Sequence, residues 1–260
     1  MRKAAIIIPA HNEEERIGIT LKNYLLYFKD LKNKGILDFE IIVVLNACND
    51  NTDKVVNRFD YNELIILDFE RGGKGFAIVE GFKEAFKRSS DLIGFVDADM
   101  ATPPNAFYGL IRHIGNYDGI IANRWDKKSK IWPKQSLFRR FLSRIYNFIV
   151  RALFFFNHRD TQCGAKLFKK KLLEKIIPKL GSSEWGFDVD LLFYARREKA
   201  RIKSVPTLWN DKKGSKVNLK KTPITMFLSA IRLRLIHSPL RFMVRAYKIL
   251  PEKWKFHRFF

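Results

Sequence analysis

Cysteine is scarce in this chain: Cys48 and Cys163 are the only two in 260 residues, and they stand far apart without metal-ligand spacing. They support neither a disulfide framework nor a cysteine-based metal module, and their scarcity fits a reducing compartment. The five histidines are scattered and form no ligand cluster. No apolar run reaches the roughly 18 residues of a membrane span, because arginines interrupt the densest patches. The N-terminus enters a strand-like run directly, so no secretory leader is expected. Repeats and low-complexity segments are missing too. Acidic residues are few: 27 Asp and Glu face 49 Lys and Arg, a formal charge of +22. Such a chain is drawn to polyanions, whether nucleic acid, an anionic membrane surface or phosphorylated substrates. Its length suits one large domain or a domain with an appendage, and 47% hydrophobic residues suffice for a core.

The apolar patterning alternates between two periods. Ala4 to Ile8, Glu40 to Leu45, Leu64 to Leu67, Leu92 to Val96 and Ile120 to Ile121 are short continuous apolar runs, as expected of strands buried on both faces. Between them lie helical patterns. Asn12, with Glu15 three residues on, predicts a capping box for a helix carrying Ile17, Leu21, Tyr24, Leu25, Phe28 and Leu31, which Gly35 stops. Thr52 or Asp53 starts a second helix. A third follows Arg71-Gly72-Gly73-Lys74-Gly75, with Phe76, Val79, Phe82 and Phe86 inside. Pro103 opens a fourth, running to His113. Five β-strands alternating with helices argue for a parallel sheet covered on both faces, with right-handed crossovers. In such sheets ligands lie beyond the carboxyl ends of the strands. The polar stretches Pro9–Glu13, Asn46–Asp53, Arg71–Gly75, Asp97–Asp99 and Asn123–Arg124 all fall there.

Asp97 and Asp99 carry the sharpest chemical signal. Two carboxylates at one buried strand end repel each other and resist desolvation. A divalent cation resolves both problems, since Mg²⁺ or Mn²⁺ is held by one or two carboxylates with water and phosphate oxygens completing the shell. A solvated turn rich in aspartate is the plainer reading. Arg71–Gly75 reads either as a glycine turn or as a loop offering N–H groups and Lys74 to phosphate; its spacing is not that of a P-loop. Cys163 reads as a small buried residue.

Two segments combine arginine with aromatics. Along 134–157, Arg139, Arg140, Ser143, Arg144, Asn147 and Arg151 recur at helical spacing beside a wide arc of Leu, Ile and Phe. This describes a helix lying in a membrane interface, or one half-buried in protein or set against RNA phosphates. A similar basic, amphipathic segment runs from Thr222 to Leu250, with Pro239 breaking it in two.

With these residues in place, the chain resembles the family-2 glycosyltransferases of the GT-A fold. The resemblance rests on PAHNEE after the first strand, RGGKG before the third helix and DADMATPP at the fourth strand. Asp160–Phe168 and Trp185–Asp190 are similar to the dolichyl-phosphate glucosyltransferase branch. It covers about residues 4–218, implying a GT-A catalytic domain over 1–218, with the helix at 134–157 inserted, and basic amphipathic helices over 219–260. The implied fold is α/β: a Rossmann-like, mostly parallel sheet with helices on both faces, plus amphipathic membrane-interface helices. The implied partners are a nucleotide-sugar donor, a polyprenyl or dolichyl phosphate and an anionic membrane surface, without nucleic acid; the implied cofactor is Mg²⁺ or Mn²⁺.

Position by position, Pro9, Ala10, Asn12 and Glu13 match the loop lining base and ribose. Asn46 stands where the family usually has an acidic base contact. Asp97 matches the residue near the nucleoside and Asp99 the metal ligand, both on the metal side. Ala101 replaces a metal-touching Gln of some mannosyl relatives. Arg124 matches the arginine reaching the acceptor phosphate. Arg139 and Ser143, with Arg140 alongside, match the pair holding the lipid phosphate. Ser215 and Lys216 belong to the late loop closing on the diphosphate. Asp188 matches the catalytic base of relatives that glycosylate hydroxyls; a sugar contact or a structural role is equally open. The resemblance implies inverting transfer of a hexose, glucose from UDP-glucose in the first instance, to lipid phosphate at the cytoplasmic membrane face, by a peripheral enzyme. GDP-mannose as donor, or a hydroxyl acceptor, are the enzyme alternatives. A nucleic-acid-binding protein would account for the charge but not for the aspartate pair.

Overall fold

The computed structural model describes residues 1–133, 137–180, 186–210, 221–239 and Phe242. The elements run β1 (Lys3–Ala10), α1 (Ile17–Asn33), β2 (Asp38–Asn46), α2 (Thr52–Val56), β3 (Leu64–Phe69), α3 (Lys74–Lys87), β4 (Leu92–Phe95), α4 (Pro104–His113), β5 (Gly119–Asn123), β6 (Lys130–Trp132) and α5 (Leu137–Phe154). They continue with β7 (Lys166–Lys169), α6 (Lys170–Ile176), a short 3₁₀ turn, α7 (Phe187–Arg197), β8 (Ile202–Pro206), β9 (Leu208–Asn210) and α8 (Lys221–Ile236).

Seven strands form the main sheet in the order β3-β2-β1-β4-β7-β5-β8. All are parallel except β7, which runs antiparallel between β4 and β5. The apolar runs of β1, β2, β4 and β5 become its buried strands, β3 forms a half-buried edge, and alternate residues feed opposite faces. Ala4, Ile6 and Ile8 of β1 pack under α1 and α4. Ala5 and Ile7 face α3, α6 and α7. A third cluster joins Val150 and Phe154 of α5, Val189 and Leu192 of α7, and Ala230 and Leu233 of α8 to Ile121 of β5. β6 and β9 pair separately as a parallel ribbon.

The structure corrects several boundaries. Helix α1 begins at Ile17, and Asn12 does not cap it: Asn12 takes a left-handed conformation (φ 54°) and its Oδ1 accepts from the Asn49 N–H at 2.7 Å. The first turn is held instead by the Glu13 carbonyl, which accepts from Arg16 and Ile17. At the other end Gly35, at φ 68°, stops the helix as expected, with the Ile36 and Gly35 N–H groups returning to Leu31 and Lys32. In α3 the buried stripe is Ala77, Ile78, Phe82 and Ala85, whereas Phe76, Val79 and Phe86 are half-buried. Gly75 and Gly81 make that rotation possible, since small residues let the helix lie close on the sheet. Pro103 precedes α4 as its cap residue and Pro104 takes the first helical position.

The inward stripe of 134–157 differs as well. Asn147, expected on the basic side, is buried, while Phe141, Ile145, Phe148 and Phe155 stand exposed. Helix α8 ends at Ile236, ahead of Pro239, as that proline predicts. No helix among the described residues is long and apolar enough to cross a membrane.

A methyl group at Gly81 would lie 2.6 Å from Ile7 Cγ2 in the middle of the sheet. Gly81→Ala is therefore expected to lose about 1–3 kcal/mol through overpacking, despite its better helix propensity. A lowered urea midpoint with an unchanged slope checks this.

Candidate active site

Five loops gather at the carboxyl ends of β1 to β5, as expected from the parallel order, and the loop entering β7 joins them from the opposite direction. The acidic segment after β4 is braced from two sides. Thr20 and Tyr24, one turn apart on the buried face of α1, donate to the Ala98 and Thr102 carbonyls at 2.7 and 2.8 Å. The Asn210 N–H of β9 donates to the Ala101 carbonyl at 2.7 Å. Met100 sits at φ 61°, which lets the chain double back. The result presents Asp97 and Asp99 at fixed positions.

Those carboxylates have different environments. Asp97 is ion-paired with Lys74, the first residue of α3. Gly164 packs directly on it: a Cβ there would lie 2.6 Å from the Asp97 carboxyl carbon. Burial alone would raise the Asp97 carboxyl, but Lys74, with Lys166 and Arg124, outweighs burial and holds it below the ordinary value. Asp99 goes the other way. Burial, then the Asp97 charge, pushes it up, and its Oδ1 accepts one N–H, from Ala101 at 2.9 Å. Lys74 thus serves Asp97, and Asp99 is the carboxylate that a further cation would relieve. No group of three or more His, Cys, Asp or Glu forms a metal cage among the described residues. The donor set fits an ion held by one or two carboxylates and completed by substrate oxygens.

Two more ion pairs complete the crevice. Arg124, at the end of β5, makes a two-point contact with fully buried Asp160: Nε to Oδ2 at 2.8 Å and Nη2 to Oδ1 at 2.9 Å. Its guanidinium lies over Trp209, 4.9 Å from the ring centre. Lys166, with no exposed surface, pairs with Asp188 in the first turn of α7 and donates to the Cys163 carbonyl at 2.6 Å. Burial pushes the Cys163 thiol up to about 12, so it is an inert buried residue, as its sequence context suggested.

The other expected site residues divide by location. Pro9 and Ala10 end β1 in buried positions. The Glu13 N–H donates to Thr52 Oγ1 at 2.7 Å and its carboxylate pairs with Arg16 at 2.6 Å, tying the first loop to α2 and α1. Asn46 does not point to solvent: it is buried, its Nδ2 donates to the Ala10 carbonyl at 2.8 Å and its Oδ1 accepts from Gly73 N at 3.1 Å. Its amide joins three loops of the rim. Ser143 is half-buried and Arg140 exposed on α5. The side chain of Arg139 and residues Ser215 and Lys216 lie outside the described residues.

Helix α5 abuts this crevice. Asn147 Nδ2 lies 3.4 Å from Thr161 Oγ1 in the loop carrying Asp160. The buried Tyr146 hydroxyl has no hydrogen-bond partner among the described residues, and burial, then Asp188 and Asp190, pushes its ionisation up. Gln162 Nε2 and Trp209 Nε1 are likewise buried without partners there. Three unpaired donors around one crevice suit a ligand rich in acceptor oxygens.

The sequence profile of the Glycosyl transferase family 2 matches residues 5–177. The chain belongs to that family. Its curated relatives in this family include dolichyl-phosphate β-glucosyltransferases. That of Drosophila melanogaster is 31% identical over 259 residues, covering 94% of this chain and 77% of that one. That of Saccharomyces cerevisiae is 28% identical over 263 residues, covering 90% and 74%. The GT-A fold is shared with glucosyl-3-phosphoglycerate synthase from Mycobacterium tuberculosis, solved with Mn²⁺, UDP and phosphoglyceric acid. Its TM-score is 0.64 at 16% identity, covering 90% of this chain and 78% of that one. The chain is thus a family-2 glycosyltransferase. Within that framework Asp160 and Lys166 emerge as residues to which sequence reading assigned no role. The available signal was a lysine standing in the apolar run Ala165-Lys166-Leu167-Phe168.

Two expectations follow for this site. Lys166→Met leaves Asp188 without its buried partner and should cost about 3–5 kcal/mol. Lys166→Met with Asp188→Asn should recover most of that loss, as a double-mutant cycle by chemical denaturation measures. Asp99, raised in the folded state, ionises more readily unfolded; its charge opposes folding above about pH 4 and ceases to do so in acid. Asp99→Asn should therefore raise the thermal midpoint at pH 7 in chelator, with the gain vanishing at low pH.

Proposed function

We propose that this glycosyltransferase moves a hexose, glucose from UDP-glucose, onto a polyprenyl or dolichyl phosphate at the cytoplasmic membrane surface, with inversion. The observation that carries the reading is the position of α5. Its inner side meets the aspartate crevice through Asn147 and Tyr146, while Phe141, Ile145 and Phe148 stand out from it with Arg140 and Arg144 exposed beside them. One helix can then lie in the lipid interface and hand an anionic head to the crevice. A phenylalanine moved from water into apolar surroundings gains about 1.5–3 kcal/mol, and each arginine near an anionic leaflet about 1 kcal/mol. The dolichyl-phosphate relatives support the acceptor class.

A phosphate monoester has its second pKa near about 6, so the acceptor is already a nucleophile at neutral pH. No general base is required, which accords with Asp188 being engaged by Lys166. Ser143 lies one helical turn before buried Asn147, on the same side of α5, and Arg139 one turn earlier in register. With Arg124 they are the groups to orient the acceptor phosphate. The Asp160 carboxylate and the Trp209 ring fix the plane of the Arg124 guanidinium, so its remaining donors are preorganised. Lys74 holds Asp97 beneath the nucleoside side of the site. A divalent ion, Mg²⁺ or Mn²⁺, when held by Asp99 with Asp97 adjacent, would neutralise the leaving diphosphate. Pro9, Ala10, Asn12 and Glu13 line the base and ribose, and Ser215 and Lys216 approach the diphosphate in this reading. The chain divides into a catalytic part, 1–218, and a membrane-surface part, 219–260.

Incubation with polyprenyl phosphate, Mn²⁺ and labelled nucleotide-sugars is expected to place label in the lipid fraction from UDP-glucose. Label from GDP-mannose alone would select the mannosyl alternative, and label on no lipid would overturn the acceptor class. Asp99→Ala should abolish transfer and also the rise in thermal midpoint that UDP with Mn²⁺ gives the wild type; full activity in chelator would refute the metal role. Membranes carrying the protein should keep most of it through a high-salt wash, because apolar anchoring survives screening. Complete release would leave only phosphate attraction.

A further inference from the structure

A second feature lies at the far end of α5. The exposed stripe Phe141, Ile145, Phe148 continues at the same spacing to Ala152, and just past the helix end Phe155 is 66% exposed. There it runs into a cleft of about 230 Å³ between α5, α7 and α8. Leu153, Phe155 and Phe193 supply apolar walls, and Arg196, Arg197 and Arg234 surround them. Thirteen residues separate Arg140 from Leu153, so the cleft lies about 20 Å along the helix from the acceptor-binding end.

The three arginines have no carboxylate partner among the described residues. The neighbouring acid, Glu198, is taken by Lys179 at 2.5 Å. Arg196 Nη1 donates to the Phe154 carbonyl at 2.8 Å, which fixes it at the helix end, and Arg197 Nη1 lies 3.0 Å from His237 Nδ1. Burial, then the Arg197 charge, holds His237 below its ordinary value, so the positive field is felt locally. The segment 240–260 is a poor occupant by charge: Glu252 is its only acidic side chain, among numerous Lys and Arg. Three guanidinium groups around an apolar slot, at the end of an exposed aromatic stripe, call for a ligand with an anionic head and a greasy continuation.

We propose that this cleft binds an anionic phospholipid: its phosphate sits among Arg196, Arg197 and Arg234, and its first acyl segment lies against Leu153, Phe155 and Phe193. The site is distinct from the acceptor-binding end of α5 and takes a membrane lipid that is not consumed. Its occupancy would seat the C-terminal end of α5 and the junction with α8 on the bilayer. The assignment does not depend on which sugar or acceptor the enzyme uses.

The test is calorimetric titration of the full-length protein with dihexanoyl phosphatidic acid, dihexanoyl phosphatidylcholine and inorganic phosphate. Phosphatidic acid should bind at least tenfold more tightly than either of the others. Arg234→Gln should weaken that binding tenfold or more, and Arg234→Lys should stay within about threefold of wild type. Leu153→Trp, which fills the apolar end, should weaken phosphatidic acid but not phosphate. Sugar transfer to a short, detergent-dispersed acceptor should be unchanged in all three variants. Equal affinity for phosphate and phosphatidic acid would reduce the cleft to a basic patch and overturn the proposal. So would Arg234-dependent binding of polyprenyl phosphate in place of phosphatidic acid, or binding of phosphatidic acid that ignores both Arg234→Gln and Leu153→Trp.

Discussion

The structure depends on how it pairs the carboxylates of one crevice with cations. Asp97, Asp160 and Asp188 each have a dedicated cation, Lys74, Arg124 and Lys166, and Asp99 has none of its own among the described residues. A protein with a net charge of +22 thus maintains, at one spot, an excess of negative charge. Burying such charges is unfavourable unless each is paired with good geometry. The pairs are therefore structural before they are chemical: they join β4 to α3, β5 to the loop before β7, and β7 to α7. Asp99 stands within that scaffold as the carboxylate whose charge burial and Asp97 both oppose.

The same arrangement bears on the kind of acceptor proposed for this frame. A hydroxyl must lose its proton during attack, so its enzyme needs a free base near the sugar. Here Asp188, the carboxylate that the resemblance matches to that base, is held by a lysine with no exposed surface. A phosphate brings its own negative charge and asks instead for cations, the role proposed above for Arg124 and the basic face of α5.

Much of the fold was legible from the residues because parallel strands buried on both faces are continuous apolar runs, and β1, β2, β4 and β5 follow that pattern. The helix start at Ile17 was not, since Asn12 and Glu15 carry a local capping signal that tertiary contacts override: Asn12 is drawn across to Asn49. Strand β7 was illegible for a related reason. Its apolar run is interrupted by Lys166, whose burial makes sense only beside Asp188, 22 residues later in sequence. At the site, Asp97 and Asp99 could be found because they sit one residue apart. Their cations could not, because pairing across β4, α3 and β7 is a property of the sheet order. Asn46 shows the converse: a position matched by resemblance whose side chain is taken up by neighbouring backbone.

The antiparallel β7 also bears on how the chain assembles during synthesis. β4 and β5 emerge from the ribosome early, yet they are not neighbours; each needs β7 as its hydrogen-bonding partner, and β7 lies beyond the whole of α5. Until residue 169 has been made, the nascent sheet therefore carries a bare edge on β4 that the finished protein hides at its centre. The greasy helix must be threaded out and the chain must double back before that gap closes.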